Sequence, residues 1–268
     1  MADGADEPDP ADSAADVGAR RQVIRDAVAL GIAVGAFGLA FGALSVGAGL
    51  SVAKTCVLSL AMFTGGSQLA YVGVLAAGGS TSAAAASAVL LGSRNAFYGV
   101  ALGPVLAIPR RWRPLAAHLV IDESTAMATG VQQPAPGAGV APPVATSRPT
   151  LGLARLAFTA TGLAVFCCWN LATLVGALGG SMLAGTVLGD PRVLGLDAVG
   201  PAAFLALLWP RLTTGAAPIR RVAGAGAVIG LIGSVVLPTG LGVPLAALGV
   251  LAAGRLAARQ QAAGRGQP

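Results

Sequence analysis

An all-α fold, a polytopic transmembrane helix bundle of about seven spans, is predicted by three observations. The 268 residues are 55% hydrophobic and only 10% charged, which leaves too little polar surface to cover a soluble globule. Apolar runs of about 20 residues recur along the chain, the length a helix needs to cross a ~30 Å hydrocarbon core. These runs are rich in Ala, Leu, Val and Gly and do not alternate, so helices rather than the strands of a barrel must satisfy the backbone.

Charge is distributed unevenly. Seven of the eleven acidic residues fall in the first 26 positions, and beyond them only Asp122, Glu123, Asp190 and Asp197 face fourteen Lys and Arg. In a membrane chain such a basic excess reads as the positive-inside signal rather than as a nucleic-acid surface, and no base-stacking pattern accompanies it. Sixteen Arg against one Lys fits a GC-rich bacterial genome and hence the inner membrane. Residues 1–26 form an acidic cytoplasmic tail read as disordered, since the stretch lacks the apolar run of a signal peptide. Cys56, Cys167 and Cys168 sit in apolar segments without metal-ligand spacing, so buried structural thiols are expected and no metal or cofactor is.

One transport domain, residues 27–260, follows in two halves. The first span, about Ala27 to Leu50, is entered through Arg20, Arg21 and Arg25, which places the N-terminus in the cytoplasm. Its spacing Gly31-x-x-x-Gly35 and Gly38-x-x-x-Gly42 lets another helix approach closely. A second apolar region, about Thr55 to Ala77, is interrupted by Gly65-Gly66-Ser67-Gln68, and a third, about Ala83 to Ala107, carries Arg94 near its middle. Three full crossings would put Arg110, Arg111 and Arg113 outside, against the positive-inside rule. A broken or re-entrant segment is therefore expected near 63–68, where two adjacent glycines weaken a helix by roughly 2 kcal/mol. Leu115 to Gly130 is short and contains Asp122 and Glu123, and residues 131–150, with five prolines, form a linker between halves 27–130 and 151–260.

In the second half, an apolar stretch from Arg155 to about Leu188 turns at Asp190-Pro191-Arg192 and returns from about Val193 to Trp209. Two shorter segments, about 222–237 and 241–254, meet at Pro238-Thr239-Gly240 ahead of a polar tail, 261–268.

Buried polar residues mark the candidate chemistry. Arg94 costs several kcal/mol inside hydrocarbon unless it faces a cavity or a partner; it is read either as a substrate or proton group or as half of a structural ion pair. The Phe63-Thr64-Gly65-Gly66-Ser67-Gln68 segment can expose a half-helix N-terminus whose N–H groups attract a carboxylate, or can simply permit close packing. An enzyme alternative, an intramembrane serine hydrolase using Ser67 and His118, lacks a nucleophile-elbow pattern, so no catalytic residues are assigned. A non-transporting channel or scaffold is the other alternative.

The glycine-rich first span GAFGLAFGALSVGAGLS, then MFTGGSQLAYVGVL, SRNAFYGVALGPVL, HLVIDESTAMA, WNLATLVGALGG and LGLDAVGPAAFLALL, in that order, resemble the large subunit of branched-chain amino acid exporters, the azaleucine-resistance (AzlC-type) permease family. Three departures stand out: Asn95 where the family usually has His, Gly92-Ser93 in place of an Asn-containing pair, and Thr64 and Gly66 in place of alanines. Asn95 can hydrogen-bond but cannot titrate.

The resemblance implies export of leucine, isoleucine, valine or similar apolar amino acids, driven by an ion or proton gradient, together with a small AzlD-type membrane subunit. On that basis the expected substrate-binding set is Gly65, Gly66, Ser67, Gln68, Arg94, Asn95, Asp122, Glu123, Phe63, Phe97 and Trp169. Arg94 or the half-helix N–H groups would hold the carboxylate, Gln68 with Asp122 or Glu123 the ammonium, and the three aromatics the apolar side chain. A buried carboxylate can also carry the coupling proton.

Overall fold

A computed structural model describes residues 10–131, 148–187 and 217–237, with isolated positions between 193 and 249. Every element of the described residues is helical. In chain order these are α1 (Pro10–Gly47), α2 (Val52–Ala61), α3 (Gly65–Ala76), α4 (Thr81–Leu106), a 3-10 turn (Arg110–Trp112), α5 (Arg113–His118), α6 (Asp122–Gly130), α7 (Arg148–Met182) and α8 (Ala217–Val236). Residues 1–9, most of the linker, the Asp190-Pro191-Arg192 turn and the tail lie outside the described residues.

Two of these helices are long and apolar enough to cross a membrane. Asp16–Gly47 and Leu151–Met182 each run 32 residues and contain an 18-residue stretch of mean hydropathy 2.2 and 1.7 respectively. Large side chains on their outer faces, Ile32 on α1 and Leu171, Val175 and Met182 on α7, are exposed, as lipid-facing positions are. Cys167 of α7 is exposed too, and Cys56 and Cys168 are half-buried, so none of the three thiols expected to be buried is fully so. α1 begins earlier than expected: residues 10–26, read from sequence as part of a disordered tail, are helical. The physical basis is alanine at four of those positions, with Pro10 at the first helical position, where its missing N–H costs nothing.

The chain divides into two compact units, one of residues 1–36 and 95–171, the other of residues 37–94 and 172–268. In the first unit α1 and α7 meet at small residues, Gly31 against Ala164 and Gly35 against Cys168. A methyl group on Gly35 would lie 2.6 Å from the Cys168 Cβ. In the second unit the same two helices meet again, Gly42 against Thr173 to Ala177, Gly176 against Leu39 and Gly180 against Ala43. The packing role expected for the Gly-x-x-x-Gly faces of the first span is thus observed in each unit.

Helix ends follow local chemistry. α1 and α3 both stop in a Schellman arrangement: Gly49 (φ 89°) and Gly78 (φ 79°) take the left-handed position, and the following amides, Leu50 and Gly79, bond to Ser45 O and Val74 O. Ser51 caps α2 by accepting from the Lys54 amide at 3.2 Å, and Ser80 caps α4 by accepting from Ala83, also at 3.2 Å. At its far end α4 passes Pro104 and finishes at Leu106, just before Ala107, which has φ 43°. Arg155 of α7 donates to both carbonyls there, Leu106 O and Ala107 O, and so holds this strained end in place.

Candidate functional site

The interruption expected near 63–68 is present, at the N-terminal edge of that range. α2 ends at Ala61, Met62 to Thr64 are non-helical, and α3 starts at Gly65, so both glycines lie in the first turn of the second half-helix rather than in the gap. Thr64 is extended (φ −155°, ψ 101°) and its side chain does not cap α3. The first amide of this helix to bond within it is Gln68 N, to Thr64 O, so the N–H groups of Gly65, Gly66 and Ser67 precede the ladder.

Gln68 has a task that the sequence did not reveal. Its buried Nε2 donates to Ser59 O at 3.1 Å and to Met62 O at 2.6 Å, two carbonyls at the C-terminal end of α2, the second of which also accepts from the Thr64 amide at 2.7 Å. A side-chain amide nitrogen carries two donors and can serve both acceptors without bringing in a charge. Gln68 therefore clamps the two half-helices together, whereas the sequence reading gave it the substrate ammonium. Gln68→Leu, which removes both donors but keeps the bulk, is expected to lower stability by about 2 kcal/mol, two hydrogen bonds at about 1 kcal/mol each. Thermal unfolding of the detergent-solubilised protein checks this; an unchanged midpoint would show that the clamp carries nothing.

Around the break lies a cluster of buried hydroxyls in the same unit. Ser59 Oγ meets Thr173 Oγ1 at 3.4 Å, and Thr55, one turn earlier on α2, is fully buried with Oγ1 unpartnered among the described residues. Ser67 Oγ is likewise buried and unpartnered among them, and it points at Gly92, where a Cβ would sit 2.9 Å from it. Gly92 is thus the residue that makes room for Ser67. Sequence reasoning missed Thr55, Ser59 and Thr173; the i, i+4 spacing of two hydroxyls on α2 was the available signal. Phe63 is buried and Arg94 half-buried in this unit.

Asn95, Phe97, Asp122, Glu123 and Trp169 fall in the other unit. There Tyr98 donates to Asp122 Oδ1 at 2.9 Å, a pairing of α4 with α6 that the sequence did not show. Asp122 and Glu123 occupy the first turn of α6, where the helix dipole favours them. A second helix break, Leu119 to Ile121, separates α5 from α6 and is tied by Ser124, whose Oγ donates to Leu119 O at 2.6 Å and accepts from Ile121 N at 3.1 Å. Leu119 packs on Gly162 of α7, and the His118 ring meets Phe166 edge-on at 5.8 Å. His118 and Ser67, the pair weighed as a hydrolase dyad, belong to different units. Trp169 is buried, and Asn95 Oδ1 is a buried acceptor unpartnered among the described residues. Phe97 is 73% exposed, while Leu102 and Leu106 of the same helix are buried.

The sequence model of the family described as AzlC protein matches residues 29–183, which contain the α2–α3 break, Arg94, the Tyr98–Asp122 pair and Trp169. The chain belongs to the AzlC family. This is a transporter family, associated with branched-chain amino acid transport. No curated protein and no solved structure matches the chain. In this AzlC chain the family match ends at Leu183, one residue past the end of α7, so α8 lies beyond it.

Proposed function

We propose that this AzlC-family chain is a multi-pass inner-membrane exporter of branched-chain or similar apolar amino acids, coupled to an ion or proton gradient and working with a small AzlD-type membrane subunit. The observation that carries the reading is the broken α2–α3 pair, within the family-matched region, whose second half-helix opens with amides that no intrahelical bond uses. Amides in that position, with the dipole behind them, suit a carboxylate in a site kept from water.

Gly65, Gly66 and Ser67 would present the N–H groups, with Arg94 of the same unit supplying charge and Phe63 apolar surface. In the other unit Asp122, held by Tyr98, and Glu123 are the groups able to take up a coupling proton. The Asn95 found where the family usually has His leaves that task in this unit to the carboxylates, because an amide does not titrate near neutral pH. Seven spans, with the N-terminus in the cytoplasm, remain the topology that best fits the basic clusters.

Cells loaded with dipeptides of Leu, Ile or Val should release the free amino acids more slowly when the gene is deleted, and should become more sensitive to branched-chain analogues. Collapse of the membrane gradient should slow release in the same way. Unchanged efflux of all three amino acids, with the small subunit present, would overturn the substrate class, and gradient-independent flux would favour a channel. Full transport by the purified large subunit alone in liposomes would remove the partner.

A further inference from the structure

Beside α4, within the unit of residues 1–36 and 95–171, lies an open groove of about 580 Å³. Leu102, Leu106, Val120 and Phe158, all buried, form its floor, and Gly99 and Gly103 leave its wall low, with open space where a side chain would stand. Arg113 closes one end. Its Nε donates to Ile108 O at 3.3 Å, which leaves both terminal nitrogens for another acceptor. Arg110 and Arg111 are exposed alongside, Arg111 over the half-exposed Trp112 ring at 5.9 Å. Among the described residues none of these three guanidiniums has a carboxylate partner.

We propose that this groove is a binding site for an anionic phospholipid, the phosphate held by Arg113 with Arg110 and the acyl chain laid along α4 from Leu106 toward Asn95. Three features favour this occupant. The groove has a cation at one end and no carboxylate in its lining, whereas a zwitterionic amino acid would need both. Its length along α4, Asn95 to Leu106, is about 16 Å at helical rise, close to the roughly 15 Å hydrocarbon depth of one leaflet. Arg and Trp together at the end of an apolar helix mark the headgroup level, and basic pockets between membrane helices recognise anionic headgroups.

The full-length protein in detergent, incubated with equal amounts of palmitoyl-oleoyl phosphatidylglycerol and phosphatidylcholine, then washed and analysed by mass spectrometry for retained lipid, tests this. Phosphatidylglycerol should be retained in preference to phosphatidylcholine. Arg110→Gln with Arg113→Gln should reduce its retention about 25-fold, at about fivefold per Arg. Gly103→Leu, which fills open space and so should leave the yield of folded protein unchanged, should also reduce retention; Gly99→Leu serves the same purpose if Gly103→Leu fails to accumulate. Equal retention of both lipids, full retention in the groove-filled variant, or displacement of phosphatidylglycerol by excess inorganic phosphate or by free leucine would each overturn the proposal. The readout is bound lipid, so it stands or falls separately from the transport reading.

Discussion

Gly176→Ala is expected to lower the amount of folded protein in the membrane several-fold, while Gly179→Ala, three residues further along the same helix, leaves it unchanged. The contrast follows from what each added methyl meets. At Gly176 it would collide with the backbone oxygen of Leu39 and stand 2.8 Å from both the Cα and the carbonyl carbon of that residue; at Gly179 it meets nothing within 4 Å. Backbone cannot rotate aside as a side-chain tip can, so α1 and α7 must separate. Overpacking of this kind costs about 1–3 kcal/mol, roughly 5- to 150-fold in the folding equilibrium. Quantified membrane abundance and the thermal midpoint in detergent measure it; equal behaviour of the two variants would contradict the close approach of the helices.

Arg94→Gln is expected to accumulate normally and to lose most efflux, by about 10- to 150-fold, the worth of a charge-assisted hydrogen bond of about 1.5–3 kcal/mol. Arg94→Lys should recover only part of it, because an ammonium cannot grip a carboxylate bidentately. The prediction separates two roles for the half-buried guanidinium. Removing one member of a buried structural ion pair typically costs about 3–5 kcal/mol, enough to empty the membrane of protein. Abundance and efflux measured on the same cells decide: loss of Arg94→Gln from the membrane would assign Arg94 to the fold and not to the substrate.

Several elements were legible in the sequence because their signals are local. Two adjacent glycines and the position of the Arg110–Arg113 cluster were enough to place the break near 63–68, and α4 ends just ahead of Pro109 and Arg110, whereas α7, expected from Arg155 to about Leu188, runs Arg148–Met182. Which face of each helix is buried was not legible, since lipid and protein interior are both apolar and the 3.6-residue polar rhythm of a soluble helix disappears. The 73% exposure of Phe97 beside the buried Leu102 and Leu106 is one such detail. Nor could spacing reveal the contacts made across the chain. The Tyr98–Asp122 bond joins two helices, and the clamp made by Gln68 depends on which way the Ser59 and Met62 carbonyls point once α2 has ended. The α5–α6 break escaped notice because Ser124, a single hydroxyl, ties it, with no glycine to announce it.

The pairing of Leu39 with Gly176 and of Ala43 with Gly180 also sets a timetable for biogenesis. The ribosome makes α1 well over a hundred residues before it makes the part of α7 that covers it. At roughly 5–20 residues per second, the notched face of α1 around Gly42 waits on the order of ten seconds for its partner. During that interval small residues that later meet another backbone face lipid or the insertion machinery instead. A truncated nascent chain ending before α7 should therefore be the species most open to premature pairing with other membrane helices, and to quality-control proteases.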